Sequence, residues 1–153
     1  MGWNATRGAA CSIARALGVV GERWTLLILR EIFRGSHRFD EIRSALGISR
    51  NVLSGRLDAL VAAGVLDKVS YQDRPVRFEY QLTAKGRDLY PVLLALLRWG
   101  DRWLAEGEQP PLTLIHRGCG KTITPEIACD HCGEPLDPSN TRARLRAPLL
   151  TRP

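Results

Sequence analysis

The stretch Gly47–Gly64, GISRNVLSGRLDALVAAG, constrains this chain more than any other. Ser49 is a strong N-cap ahead of an apolar run of helical period, and Gly64 is a C-terminal stop. Between them the spacing predicts one helix of about four turns. Leu53, Leu57, Leu60 and Val61 fall on one face, and Asn51, Gly55, Asp58 and Ala62 on the other, with Ser54 at its edge. An outer face that is small and polar has no reason to be buried in its own domain, and nothing bulky keeps it from lying against a flat partner. A shorter helix, Phe39 to Leu46, precedes it across the tight Gly47-Ile48-Ser49 turn. This pattern is the signature of a helix-turn-helix, whose second helix reads the major groove of DNA.

The flanking chain fits that centre. A loose arm containing Trp3 leads into a helix from about Ala9 to Leu17, with Ile13, Ala16 and Leu17 expected inward. A second helix runs from Glu22 to Phe33, with Trp24, Leu27, Ile28 and Ile32 inward and Trp24 as a core anchor. Ser36-His37-Arg38 is a candidate edge strand, and His37 reads more simply as a surface histidine than as a switch or ligand. After Gly64 the period changes to two. Val65–Tyr71 and Val76–Leu82 read as strands joined by the turn Gln72–Pro75. A hairpin directly behind a recognition helix is a wing. Arg74 at its tip and Arg77 one step into the return strand are placed to reach phosphates or a narrow minor groove.

Thr83 then caps a long helix expected over Ala84–Glu106, where Pro91 marks a bend or a lost hydrogen bond. Leu89, Leu93, Leu96, Trp99 and Trp103 form a stripe that Val92, Leu97 and Leu104 widen. One small domain does not need so much apolar cover, so part of it is expected to pack on a second subunit. The fold class is mainly α (α+β): a winged helix-turn-helix with a long C-terminal dimerisation helix over residues 1–107.

Gln109-Pro110-Pro111 opens a different kind of sequence over residues 108–136. His116 and Cys119 form one pair and Cys129 and Cys132 another, each with two residues between the partners and a glycine after the second. One histidine and three cysteines suit a tetrahedral structural zinc in a small ribbon-like extension, with no open position for catalysis. So little chain has too small a core to fold without such a staple. His131 lies inside its turn and is a poorer ligand than His116. Two other readings stand beside zinc: a redox pair at Cys129 and Cys132, which lacks a strand-to-helix context, and metal-free cysteines packed on the long helix. Residues 137–153 carry Arg142, Arg144, Arg146 and Arg152 against the single acid Asp137, and are expected to be a mobile basic tail.

Charge and cysteine usage narrow the class further. A formal charge of +6 and a pI near 9.6 favour a polyanionic partner through counterion release. The longest apolar run, Leu89–Leu97, is too short to span a membrane and contains Pro91, so the expectation is a cytoplasmic protein without membrane contact, whose cysteines are not structural disulfides. Cys11 stands apart from the other cysteines, at a predicted helix start with Arg7 before it and Arg15 one turn later. That setting activates a thiol toward oxidants or electrophiles, although a buried Cys11 acting as a small hydrophobe fits the local sequence as well.

Several motifs together resemble the HxlR-type, MarR-like transcriptional regulators. They are CSIARALGVVGERWTLLILREI from Cys11, RFDEI from Arg38, GISRNVLS from Gly47, and RFEYQLTAKG ending at Gly86. The resemblance covers roughly residues 9 to 105. It implies a dimer on palindromic double-stranded DNA, with dimer contacts from the first and last helices, and an oxidant or small-molecule effector. Some members sense oxidants through a cysteine at the position of Cys11. Gly55 stands where the family usually has a polar or charged residue. On this reading Arg50, Asn51 and Ser54 address base edges or adjacent phosphates, Ser49 caps the helix and reaches backbone, Arg74 and Arg77 work from the wing, and Arg38, Arg43 and Arg56 add phosphate contacts. The rival reading is a winged-helix protein-interaction module. An enzyme finds no support, because the chain shows no Ser/His/Asp set, no phosphate-binding glycine loop and no open metal site.

Overall fold

The recognition stretch folds as its caps dictate. The Ser49 Oγ accepts a hydrogen bond from the Val52 N–H at 3.4 Å and starts α4, Arg50–Ala62. Gly64, at φ 66°, ends it with its own N–H on the Val61 carbonyl. Leu53, Leu57 and Leu60 are fully buried along one face of α4, and Val61 is half-buried. Gly47, at φ 61°, closes α3, Phe39–Leu46, in the left-handed conformation that the tight turn needs. At the other end of α3 the Glu41 carboxylate accepts from the His37 and Arg38 N–H groups at 3.1 and 3.0 Å.

The computed structural model describes residues 11–107 and 109–144. Upstream of α3 lie α1, Ser12–Val20, and α2, Arg23–Phe33. Ile28, Leu29 and Ile32 of α2 meet Ile42, Ile48 and the leucines of α4 in one core, which Val65, Leu66 and Tyr80 close from the wing side. Each such aliphatic side chain contributes about 1.5–3 kcal/mol by leaving water. Glu31 is buried beside them, and its carboxylate is neutralised by Arg30, with Nε at 2.8 Å, and by Arg34 at 3.5 Å.

The wing pairs β1, Leu66–Asp73, antiparallel with β2, Val76–Leu82. Its register slips between Ser70 and Gln72, which leaves Tyr71 as the extra residue of a bulge. The expected edge strand at Ser36–Arg38 is reduced to a single bridge, Arg38 with Glu79. His37 is not a free surface histidine. It is half-buried, its carbonyl accepts from the Tyr80 N–H at 2.8 Å, and its Nδ1 lies 3.2 Å from the Tyr80 carbonyl.

The expected long helix is broken. Thr83 caps only α5, Ala84–Arg87, and α6 runs over Tyr90–Trp103. Two local causes account for the break. Gly86 packs so closely on the wing that a Cβ there would sit 2.2 Å from the Val65 carbonyl oxygen, which anchors α5 in place. Pro91 falls in the first turn of α6, where a missing N–H costs nothing. The chain divides into two compact units between Tyr90 and Pro91, with most of α6 in the second. In the second unit β3, Leu114–Ile115, pairs antiparallel with β4, Thr122–Ile123.

The first helix also differs from expectation. It starts later, runs through Gly18, and leaves Ile13 72% exposed, with Ala16 and Leu17 exposed as well. Periodicity identified an apolar face, but nothing among the described residues covers it. Trp24 is half-buried, with the Arg23 guanidinium 5.0 Å from its ring, and Leu29 takes the central core position instead.

Candidate nucleic-acid interface

The outer face of α4 is open along its length. Asn51, Ser54, Gly55, Asp58 and Ala62 are all exposed, and a Cβ built on Gly55 would meet nothing within 4 Å. Ser54 Oγ donates to the Asp58 carboxylate one turn on, at 3.5 Å. Helix α4 is held from behind by its leucines, so this face presents short donors and acceptors on a rigid element with low side-chain entropy, as base reading requires.

Arginines surround that face, held to different degrees. Arg50 and Arg43 share the Asp40 carboxylate at 3.5 and 3.7 Å, and the Arg50 guanidinium lies 5.1 Å from the Phe39 ring. Those ion pairs are exposed and weak, so a phosphate can displace Asp40 from either arginine. Arg38 stands 4.4 Å over the ring of Tyr71. Arg74 and Arg77 are exposed on the wing, where the Gln72 side-chain amide donates to the Arg74 carbonyl at 3.1 Å and shapes the tip.

Arg56 does not join this group. It lies on the flank of α4 that faces the α1–α2 junction, half-buried and paired with Glu22 at 3.8 Å. Counting residues along a helix does not show which flank another helix will cover. The aromatic platforms under Arg38 and Arg50 also escaped the sequence reading. Their only signal was an aromatic beside each basic segment, Tyr71 and Phe39, and pairing of that kind is decided in three dimensions.

Tyr80 backs the interface from the core. Burial, and after it the nearby Asp58 carboxylate, push its phenol above the ordinary value of 10.0. Cys11 is exposed at the N-cap of α1, where its carbonyl accepts from the Arg15 N–H at 3.1 Å. The reading of Cys11 as a buried small hydrophobe is therefore set aside for the chain by itself. Arg7 and Trp3 of the arm, and Arg146 and Arg152 of the tail, lie outside the described residues; Arg142 and Arg144 are exposed.

In the extension each expected pair forms its own turn. The His116 carbonyl accepts from the Cys119 and Gly120 N–H groups, and His116 Nδ1 lies 3.4 Å from Cys119 Sγ. The Cys129 carbonyl accepts from the Gly133 N–H at 2.9 Å. The backbone N–H groups of Cys132 and His131, and then the Cys132 thiol, hold the Cys129 thiol below its usual range. Gly120 and Gly133 take φ of 70° and 75°, as such turns demand. The two pairs stay apart: among the described residues no three His, Cys, Asp or Glu side chains are grouped closely enough to hold a metal ion.

Against this geometry, residues 19–108 match the family described as HxlR-like helix-turn-helix. The chain belongs to the HxlR-like helix-turn-helix family. An HTH-type transcriptional regulator of Mycobacterium tuberculosis is 49% identical over 129 residues, 84% of this chain and 82% of that protein. The crystal structure of PA1607, a candidate transcription factor, superposes with a TM-score of 0.82 at 34% identity and covers 92% of this chain and 98% of its own. Both matches are too long to stop at residue 108, so each runs past the end of the family match into the residues that follow it. The redox regulator HypR in its oxidised form matches over 60% of this chain and 96% of its own, at 31% identity and a TM-score of 0.56. This HxlR-like protein is a DNA-binding transcriptional regulator with a winged helix-turn-helix. No helix among the described residues is long and apolar enough to cross a membrane.

Proposed function

We propose that this HxlR-like protein acts in the cytoplasm, without enzymatic activity, as a homodimer on a two-fold symmetric operator. Asn51, Ser54 and Arg50 read bases or adjacent phosphates, while Arg38, Arg43, Arg74 and Arg77 bind phosphates. The observation that carries this reading is the exposed small polar face of α4 flanked by loosely held arginines on α3 and the wing. Dimerisation is supported by apolar surface left exposed among the described residues, on α1 at Ile13 and Leu17 and on α6 at Val92 and Leu96.

Cys11 is the proposed trigger. Its thiol is exposed at the start of α1, next to the apolar face assigned to the dimer, and the structural relative HypR is itself a redox regulator. A peroxide would take two electrons from the Cys11 thiolate, giving sulfenic acid and hydroxide. A charge or bulk change there would alter the spacing of the two recognition helices. We also propose that the two turns of the extension close on one structural zinc, with His116, Cys119, Cys129 and Cys132 as ligands. Each turn already pairs its two donors, and zinc would have to draw the pairs together.

The test is a titration against fragmented genomic DNA at two salt concentrations, with and without peroxide. Retention of one palindromic fragment, lost on oxidation in wild type but not in Cys11→Ser, is the expected result. Weak, sequence-blind binding at both salts would replace this reading with a protein-interaction module. Specific binding unaffected by peroxide would remove the role of Cys11 alone.

A further inference from the structure

The second unit contains a groove that the DNA-binding reading does not use. One face of α6, bearing Leu94, Arg98 and Arg102, lies opposite the segment that follows β4 and the turn at Pro135, and together they line an open groove of about 800 Å³. That volume lies within the range of small organic ligand sites, roughly 300–1,000 Å³. Trp99 and Trp103 line the groove one turn apart and remain 56% and 64% exposed. Two indoles left in water are a large unsatisfied apolar surface with flat faces.

The charges of the groove are unevenly matched. Arg98 pairs with Glu126 across it at 3.5 Å. Asp137 is engaged by its own turn: its Oδ1 accepts from the Ser139 hydroxyl and N–H, both at 2.6 Å, and from the Asn140 N–H at 3.3 Å. Arg102 has no acidic partner among the described residues, and its guanidinium lies 5.0 Å from the Trp103 ring. The groove therefore presents one uncompensated planar cation beside two aromatic faces.

We propose that this groove is a binding site for a small planar aromatic anion. Its ring stacks on Trp99 and Trp103, and its carboxylate pairs with Arg102, whose fork geometry matches a carboxylate with two parallel hydrogen bonds. A neutral aromatic leaves Arg102 without a partner, and a saturated carboxylate forfeits the stacking. The site lies wholly within residues 91–137, so it stands or falls independently of how α4 reads DNA.

Calorimetric titration of the full chain with 2-naphthoate, neutral 2-naphthalenemethanol and saturated cyclohexanecarboxylate tests the proposal. Saturable binding of 2-naphthoate, about ten-fold or more tighter than either comparator, is expected from one charge-assisted contact added to stacking. Arg102→Ala, on an exposed side chain that the fold does not need, should bring naphthoate down to the level of the neutral analogue, while Trp99→Ala weakens both aromatic compounds. No saturable binding, equal binding of charged and neutral aromatics, or an unchanged preference in Arg102→Ala would each overturn it.

Discussion

The Arg38 guanidinium sits 4.4 Å over the Tyr71 ring and ties the residue that opens the helix-turn-helix to the bulge of the wing. The contact reaches across β2, because Arg38 bridges Glu79 on that strand while Tyr71 belongs to β1. The wing arginines thereby inherit their position from the helices. Tyr71→Ala should lower stability by about 0.5–1 kcal/mol, the usual value for an exposed cation–π contact, and Tyr71→Phe should retain it. Thermal melts of the two variants make the comparison. DNA affinity should fall in Tyr71→Ala beyond what its stability explains, because Arg74 and Arg77 lose their frame.

Arg56 and Arg77 should part company on DNA. Arg77 is exposed on the wing, whereas Arg56 faces Glu22 on the far flank of α4. Arg77→Ala should weaken operator and random DNA alike and reduce the salt slope by about one. Arg56→Ala should leave both the slope and the affinity near wild type. A loss confined to the operator in Arg77→Ala would contradict its assignment to phosphate.

Gly55 presents an opposition between stability and function. Its position is open, so Ala fits without a clash and should stabilise the helix by about 0.5–1 kcal/mol. On the surface that approaches DNA, the added methyl stands between helix and groove. Gly55→Ala should therefore melt higher and bind operator more weakly. Tighter binding would show that this glycine serves no close approach.

Tyr80 sets an alkaline limit. Its phenol is raised in the folded chain by burial first and by Asp58 second. The folded state therefore holds this proton over a range in which the unfolded chain has lost it. Stability is fully present below the unfolded value of about 10 and declines as pH rises through the folded value. Denaturant midpoints measured from pH 8 upward should fall beyond about pH 10 in wild type, with a shallower slope in Tyr80→Phe.

The extension should respond to metal as a unit. Zinc content near one per chain is expected after purification under reducing conditions, with loss in both Cys119→Ser and Cys129→Ser because the pairs lie on different turns. A chelator should then lower the melting temperature while leaving the winged-helix unit folded. A zinc-supplemented preparation with reduced thiols and no bound metal would leave the two turns as free-standing loops.

Where a signal is local, the sequence sufficed. Ser49 and Gly64 bracket α4 because a cap needs only its own turn, and the hairpin follows from the alternation in Val76–Leu82 and the turn residues before it. The open face of α4 was equally legible, since helical period alone separates Asn51, Ser54 and Asp58 from the leucines. Tertiary structure decided what lies against each face. It turned Arg56 to Glu22, set Arg38 on Tyr71, and split the predicted long helix where Gly86 meets the Val65 carbonyl. It also left Ile13 and Leu17 exposed on a face that periodicity marked as inward. Backbone propensity and caps act over one or two turns of chain. Which partner covers a face depends on residues tens of positions away, or on another molecule, and no local pattern carries that information.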